Sequence, residues 1–368
     1  MTWIVDCRLP IADCRLGIGG RRCGTSRRAV AHRVAALILV VAAGLGGCSQ
    51  FIDPNVPEPI RPYVDPEFGG DYLLYQPSKY TRDSAWPLIV VCHSSFPDSP
   101  NRRIRAWTQL AEQHGFLVAA PALDSAAGWW SSKGDKQLAR QRTDEERILA
   151  CVRHVRAGHS ISDDRVFLHG YSGGAYAALD AGLRHPDVFR AIDLSQPKFD
   201  ETLLADAADL IDPYQPIHVH YGLDDRITGK DGKRCTDWLY AQGVTMQVET
   251  SGSIDPSDMQ RAVGFFEDVV RRKPLIRIRA LPGPGGGTLD VRFKLHSTVP
   301  PVRYEWDFGD GGGAVAAEPV HTYAAAGSYR IIVNIVGPNG TEHRRIATLR
   351  LPEMSLGTTR PSPPAEGS

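Results

Sequence analysis

"LHGYSGGAYAAL", residues 168–179, decides the fold. Within it Gly170-Tyr171-Ser172-Gly173-Gly174 fits G-x-S-x-G. The apolar "DRVFLHG" (164–170) precedes the serine and the small-residue "GGAYAALDAGLRH" (173–185) follows it, ahead of Pro186. The first reads as a buried strand and the second as a helix stopped by the proline. A sharp turn between strand and helix lifts a serine hydroxyl above the sheet edge, and the glycines let backbone pack closely around it. Ser172 is therefore a candidate nucleophile. The Gly173 amide, at the helix start, is a candidate donor to a developing oxyanion. An ordinary turn serine would satisfy the motif without needing those flanks.

The same alternation runs outward over residues 70–272. "WPLIVVCHSS" (86–95), "FLVAAPAL" (116–123), "FRAIDLS" (189–195), "PIHVHYG" (216–222) and "VTMQVET" (244–250) read as strands. "RIRAWTQLAEQHG" (103–115) and "DEERILACVRHVRAG" (144–158) read as helices ending at Gly115 and Gly158, and "DMQRAVGFFEDVVRR" (258–272) as a last helix. Strands alternating with helices predict an α/β fold: a doubly wound, mostly parallel sheet with helices on both faces.

These segments, in this order, resemble the α/β-hydrolases, and most of all the secreted esterase and polyhydroxybutyrate-depolymerase-like group. The resemblance implies a nucleophile elbow at Ser172 and a second oxyanion amide from the "CHSS" loop, at Ser94 or nearby. That loop usually reads His-Gly, whereas this chain has His93-Ser94. "HYGLDDRI" (220–227) resembles the family's Gly-x-x-Asp turn, in which Asp225 matches as the orienting acid and Asp224 does not. The family's base falls between the last strand and last helix, where this chain reads "SGSIDPSD" (251–258), and no histidine occurs between Tyr221 and Leu295. His93 is the candidate substitute base, against its reading as a structural loop residue. His169 points into the domain. Trp129 and Trp130 in "LDSAAGWWSSKGD" (123–135) are candidate substrate-binding residues near the cleft mouth, with a lid packed on the core as the alternative. The spacing of His and Cys shows no metal site, and no cofactor is implied.

At Lys273-Pro274 the pattern changes to short strands separated by turn residues. "YEWDFGDGGG" (304–313), "HTY" (321–323) and "GSYRIIV" (327–333) resemble the PKD domain, an all-β immunoglobulin-like sandwich with Trp306 in its core. The resemblance implies a spacer or a binding module for carbohydrate or protein. The glycine run 285–287 lacks the lysine of a phosphate-binding loop.

The N-terminus has its own order: basic residues at 27–28, an apolar run from Val34 to Leu45, then "LGGC" ending at Cys48. This is signal-peptide order, and the run is short for a membrane span. "LGGC" resembles a bacterial lipobox, implying acylation of Cys48 and export to the cell envelope with a lipid anchor in the membrane. The long segment before Arg27 suggests translation from a start downstream of Met1. The expected organisation is a leader (1–47), a proline-broken tether (48–69), the hydrolase-like domain (70–272), the PKD-like domain (275–352) and a polar tail (353–368).

The 368 residues are 42% apolar and 23% charged, with Lys plus Arg and Asp plus Glu balanced at 42 each. That suits globular domains and gives no basic field for nucleic acid. The expectation is an exported serine-hydrolase-family protein acting on small-molecule or polymer carboxylic esters through Ser172 and Asp225. The alternative is a hydrolase fold that has lost its base and binds a ligand or partner; a peptidase is a weaker third reading.

Overall fold

The structure is a computed structural model, describing residues 59–351 except 96, 129–133, 226–227, 253–257 and 288. The leader, Cys48, Trp129, Trp130 and the tail after 351 lie outside the described residues.

Eight strands form the first sheet: β1 (Ile60–Val64), β2 (Asp71–Tyr75), β3 (Trp86–Cys92), β4 (Leu117–Pro121), β5 (Ile161–Tyr171), β6 (Ala191–Ser195), β7 (Ile217–Gly222) and β8 (Met246–Ser251). Their order is β1-β2-β4-β3-β5-β6-β7-β8, and β4, β3, β5, β6, β7 and β8 pair in parallel while β2 runs against its neighbours. This is the doubly wound, mostly parallel sheet expected. The helices are α1 (Pro100–His114), α2 (Asp124–Gly128), α3 (Asp135–Gly158), α4 (Gly173–Arg184), α5 (Gly229–Ala241) and α6 (Asp258–Arg272), with a 3-10 helix at Glu201–Leu210.

Alternation along the strands divides the core. Ile89, Val91, Val118 and Phe167 pack under α1 and α6 through Ile104, Trp107, Phe265 and Phe266. Leu88, Val90, Leu168, Ile192 and Val219 face α3, α4 and α5. Gly115 ends α1 as read, at φ 73 with its N–H returned to the Ala111 carbonyl. Cys92, Cys151 and Cys235 are buried free thiols.

One boundary needs correction. Residues 60–64, read as tether, form β1, paired from Ile60↔Tyr75 to Val64↔Asp71. The domain therefore begins near Ile60. Pro62 is tolerated because β1 is an edge strand, where a missing N–H costs no ladder bond on the open side.

The C-terminal domain has two antiparallel sheets. β9 (Ile276–Pro282), β10 (Asp290–Ser297) and β13 (Val320–Thr322) form one; β11 (Arg303–Asp307), β12 (Gly313–Ala314), β14 (Gly327–Val336) and β15 (Glu342–Leu351) form the other. They share a core of Phe293, Trp306, Phe308, Tyr323, Ile331 and Val333. Trp306 is buried as expected, its indole N–H donating to the Ala316 carbonyl at 3.0 Å. Arg277 of β9 is buried and reaches back to the first domain, donating to the carbonyls of Asp163 (2.8 Å) and Val188 (3.0 Å). His296 pairs with Asp164 at 2.5 Å, and the Thr348 hydroxyl donates to the Asp209 carbonyl. Asp163, Asp164 and Val188 lie at the starts of β5 and β6, the end of the sheet opposite Ser172.

Candidate active site

Ser172 is the single residue between β5 and α4, at φ 54 and ψ −117. A non-glycine residue in such a region costs about 1–3 kcal/mol, so the surroundings must enforce it. They do so through close backbone packing. A Cβ on Gly170 would lie 2.4 Å from Ala175 Cα, and one on Gly174 would lie 2.3 Å from the carbonyl oxygens of Cys92 and His93. The start of α4 thus rests directly on β5 and the end of β3. The Ser172 N–H donates to the Ser195 carbonyl at 2.9 Å, and its own carbonyl accepts from Ala175 and Lys198, both at 3.1 Å. The elbow is tied to the end of β6 and leaves the serine half-buried. Gly173 opens α4, where first-turn amides have no intrahelical acceptor and the helix dipole favours negative charge.

The loop after β3 borders this elbow, but not as its sequence suggests. His93 is fully buried, with Nδ1 2.8 Å from the Ser94 carbonyl and Nε2 accepting from Leu123 N–H at 3.0 Å. Those partners require a proton on Nδ1 and a lone pair on Nε2. Burial holds the imidazole neutral, lowering its pKa to about 4. Neither nitrogen is available to take the Ser172 proton, which corrects His93 from substitute base to structural residue.

Ser94 is corrected too. Its amide donates to Asp98 Oδ2 at 2.8 Å and is not turned to an oxyanion. Asp98 also binds Arg103 through Nε (3.1 Å) and Nη2 (2.5 Å), and the Arg103 guanidinium stacks 4.5 Å over the Tyr171 ring. The loop is thereby clamped to Tyr171, the residue before Ser172. Ser95 is the loop residue against Gly173: its hydroxyl donates to the Ala126 carbonyl and lies 3.7 Å from the point a Gly173 Cβ would occupy.

Asp225 sits in the turn after β7. Its carboxylate accepts from the Thr228 N–H (3.1 Å) and hydroxyl (2.6 Å), and its carbonyl from the Gly229 N–H (2.9 Å), so it also caps the start of α5. Leu223 and Asp224 donate to the carbonyls of Ser251 and Gly252 at 2.7 and 3.0 Å. This pins the acid turn to the end of β8, beside the segment where the family carries its base. Residues 253–257 of that segment lie outside the described residues.

Other histidines fall elsewhere. His169 points into the domain as expected, with Nδ1 2.7 Å from Asp193 Oδ2, and His218 Nδ1 lies 2.6 Å from Asp193 Oδ1. His220 Nε2 lies 2.8 Å from Arg261 Nη1. Sequence reasoning missed Gln196, immediately after β6, which is fully buried at φ 51. No residue-type signal in "SQPK" (195–198) marks that backbone.

A family model described as the prolyl oligopeptidase family matches residues 104–245, and a PKD-domain model matches residues 284–350. The first domain has the α/β-hydrolase fold, and a PKD domain follows it. The hydrolase–PKD chain is 29% identical over 108 residues to poly(3-hydroxyalkanoate) depolymerase C of Paucimonas lemoignei, covering 28% of this chain and 26% of that protein. It is 34% identical over 102 residues to collagenase ColQ1 of Bacillus cereus (strain Q1), covering 26% of this chain and 10% of that one. The matches thus span about a quarter and a tenth of those relatives. An S-formylglutathione hydrolase structure from Staphylococcus aureus is 18% identical over 58% of this chain and 94% of that one, with a TM-score of 0.43.

Proposed function

We propose that this hydrolase–PKD protein is an exported, lipid-anchored serine hydrolase of carboxylic esters. The observation that carries the reading is Ser172 held at φ 54 between β5 and α4, beside the first-turn amide of Gly173. Ser172 Oγ attacks the ester carbonyl and the alcohol departs, leaving an acyl-serine that water then releases as the acid. The developing oxyanion is held by the Gly173 amide and, from the loop residue packed against it, the Ser95 amide. Asp225 supplies the acid. The base is unassigned, and the segment beside the acid turn offers serine and aspartate in place of imidazole.

The depolymerase relative supports a polyester among the substrates, and the PKD domain supports attachment to a polymer or glycan surface. Export and acylation at Cys48 rest on the order of basic, apolar and "LGGC" segments.

A second reading is favoured by a specific observation. No histidine lies between Tyr221 and Leu295, and both nitrogens of His93 are engaged. Loss of the histidine alone costs a Ser-His-Asp enzyme about a millionfold in turnover. In this reading the cleft binds a ligand or partner without turning it over.

Labelling with a fluorophosphonate probe separates the two. The hydrolase reading expects covalent labelling of the folded wild-type chain and none of Ser172→Ala. A folded wild-type chain that stays unlabelled selects the binding reading.

A further inference from the structure

Ser172 and Gln196 are the two non-glycine residues with positive φ among the described residues. They are linked through backbone, since the Ser172 N–H donates to the carbonyl of Ser195, the residue before Gln196. The Gln196 N–H donates to the His220 carbonyl on β7 at 2.7 Å. Its side chain continues in the same direction. Oε1 accepts from the Gly222 N–H at 3.1 Å and lies 3.1 Å from the Thr228 hydroxyl. That hydroxyl has one proton, and its shorter bond, 2.6 Å, runs to Asp225 Oδ2. One residue therefore spans from the end of β6, where the nucleophile elbow is tied, to both ends of the acid turn.

The arrangement carries two costs. Left-handed backbone is unfavourable for glutamine. The Gly222 N–H requires an oxygen facing it, which fixes the orientation of the amide. Nε2 is then buried with no hydrogen-bond partner among the described residues, and an orphaned buried donor is itself destabilising. Glycine would adopt this φ freely, so backbone conformation does not call for glutamine. The side-chain carbonyl is what it adds.

We propose that Gln196 is a positioning residue whose carbonyl oxygen holds the Gly222–Thr228 turn, and with it Asp225, at a fixed distance from Ser172. The catalytic consequence rests on the serine-hydrolase reading above.

Two variants of the full chain test this. Gln196→Gly relieves the backbone and removes the strut. The expected result is amide hydrogen exchange at least tenfold faster across 222–229 and fluorophosphonate labelling of Ser172 at least tenfold slower. Gln196→Glu keeps an acceptor for Gly222, so exchange there stays at the wild-type rate. Gln196→Asn tolerates positive φ but is one methylene short, and it replaces the glycine variant, with the same expected exchange and labelling, should that fail to fold.

Exchange across 222–229 within twofold of wild type in Gln196→Gly overturns the proposal. So does wild-type labelling by that folded variant, or exchange at Gly222 in Gln196→Glu as fast as in Gln196→Gly. If the wild-type chain never reacts with the probe, the hydrolase reading fails, and the exchange comparison alone decides whether Gln196 holds the turn.

Discussion

At Ser172 the backbone is strained by design of its surroundings, and the strain is measurable. Ser172→Gly relieves φ 54 while leaving the main-chain bonds to Ser195, Ala175 and Lys198 in place. The expected outcome is a gain of about 1 kcal/mol, read as a higher urea midpoint at unchanged slope. An unchanged or lower midpoint would mean the elbow is not under strain. The turn at Ser172 between strand and helix was legible because its motif is local: five consecutive residues between a strand pattern and a helix pattern. The turn after β7 that carries Asp225 was legible for the same reason. The loop after β3 was not, because its roles are set from outside it. Asp98 takes the Ser94 amide and the Leu123 N–H takes His93 Nε2. Gln196 was invisible because neither its φ nor its partners on β7 and the acid turn is encoded in its neighbours.

Parallel register builds a second feature at the level of strands. His169, Asp193 and His218 face one another across β5, β6 and β7, beneath α1 and α6. Burial alone would raise the Asp193 carboxyl, but hydrogen bonds and charge from the two imidazoles outweigh it and the net shift is downward. Burial alone would lower His218, but Asp193 and then Glu249 outweigh it, against Arg261, and the net shift is upward. A lowered carboxyl stabilises the fold above its unfolded value of about 3.9 and loses that as pH falls through the folded value. A raised imidazole stabilises below about 6.5 and loses that as pH rises through the higher folded value. The row should therefore favour folding most between about pH 4 and 6.5. Asp193→Asn should cost about 3 kcal/mol there and flatten the alkaline decline, checked by urea unfolding from pH 4 to 9. An alkaline slope equal to wild type would rule the pair out as its source. Sequence gave His169 an inward direction, since it sits in a buried strand pattern. Its partners required the strand order, which periodicity does not supply.

For the molecule as a whole, the switch from alternating strands and helices to short strands near Lys273 is readable in sequence because the two halves differ in hydrophobic period. The seam between them was not readable. Arg277 lies in an alternating strand where an arginine reads as solvated, yet it is 4% exposed, and burial pulls its pKa down to about 10. Arg345 adds a bond to the Pro274 carbonyl at 3.2 Å and stacks 5.3 Å over the Tyr214 ring. Arg277→Ala removes the donors to two carbonyls and should uncouple the halves. Calorimetry should then show two melting transitions where the wild-type chain shows one. A single transition in the variant would mean that the seam does not depend on this side chain.

The direction of α6 has a consequence for how such a protein meets its target. The helix carries the chain from the Ser172 end of the first sheet to the opposite end, where Arg277 and His296 seat the β-sandwich against Asp163, Asp164 and Val188, so whatever meets the sandwich meets the pole away from Ser172.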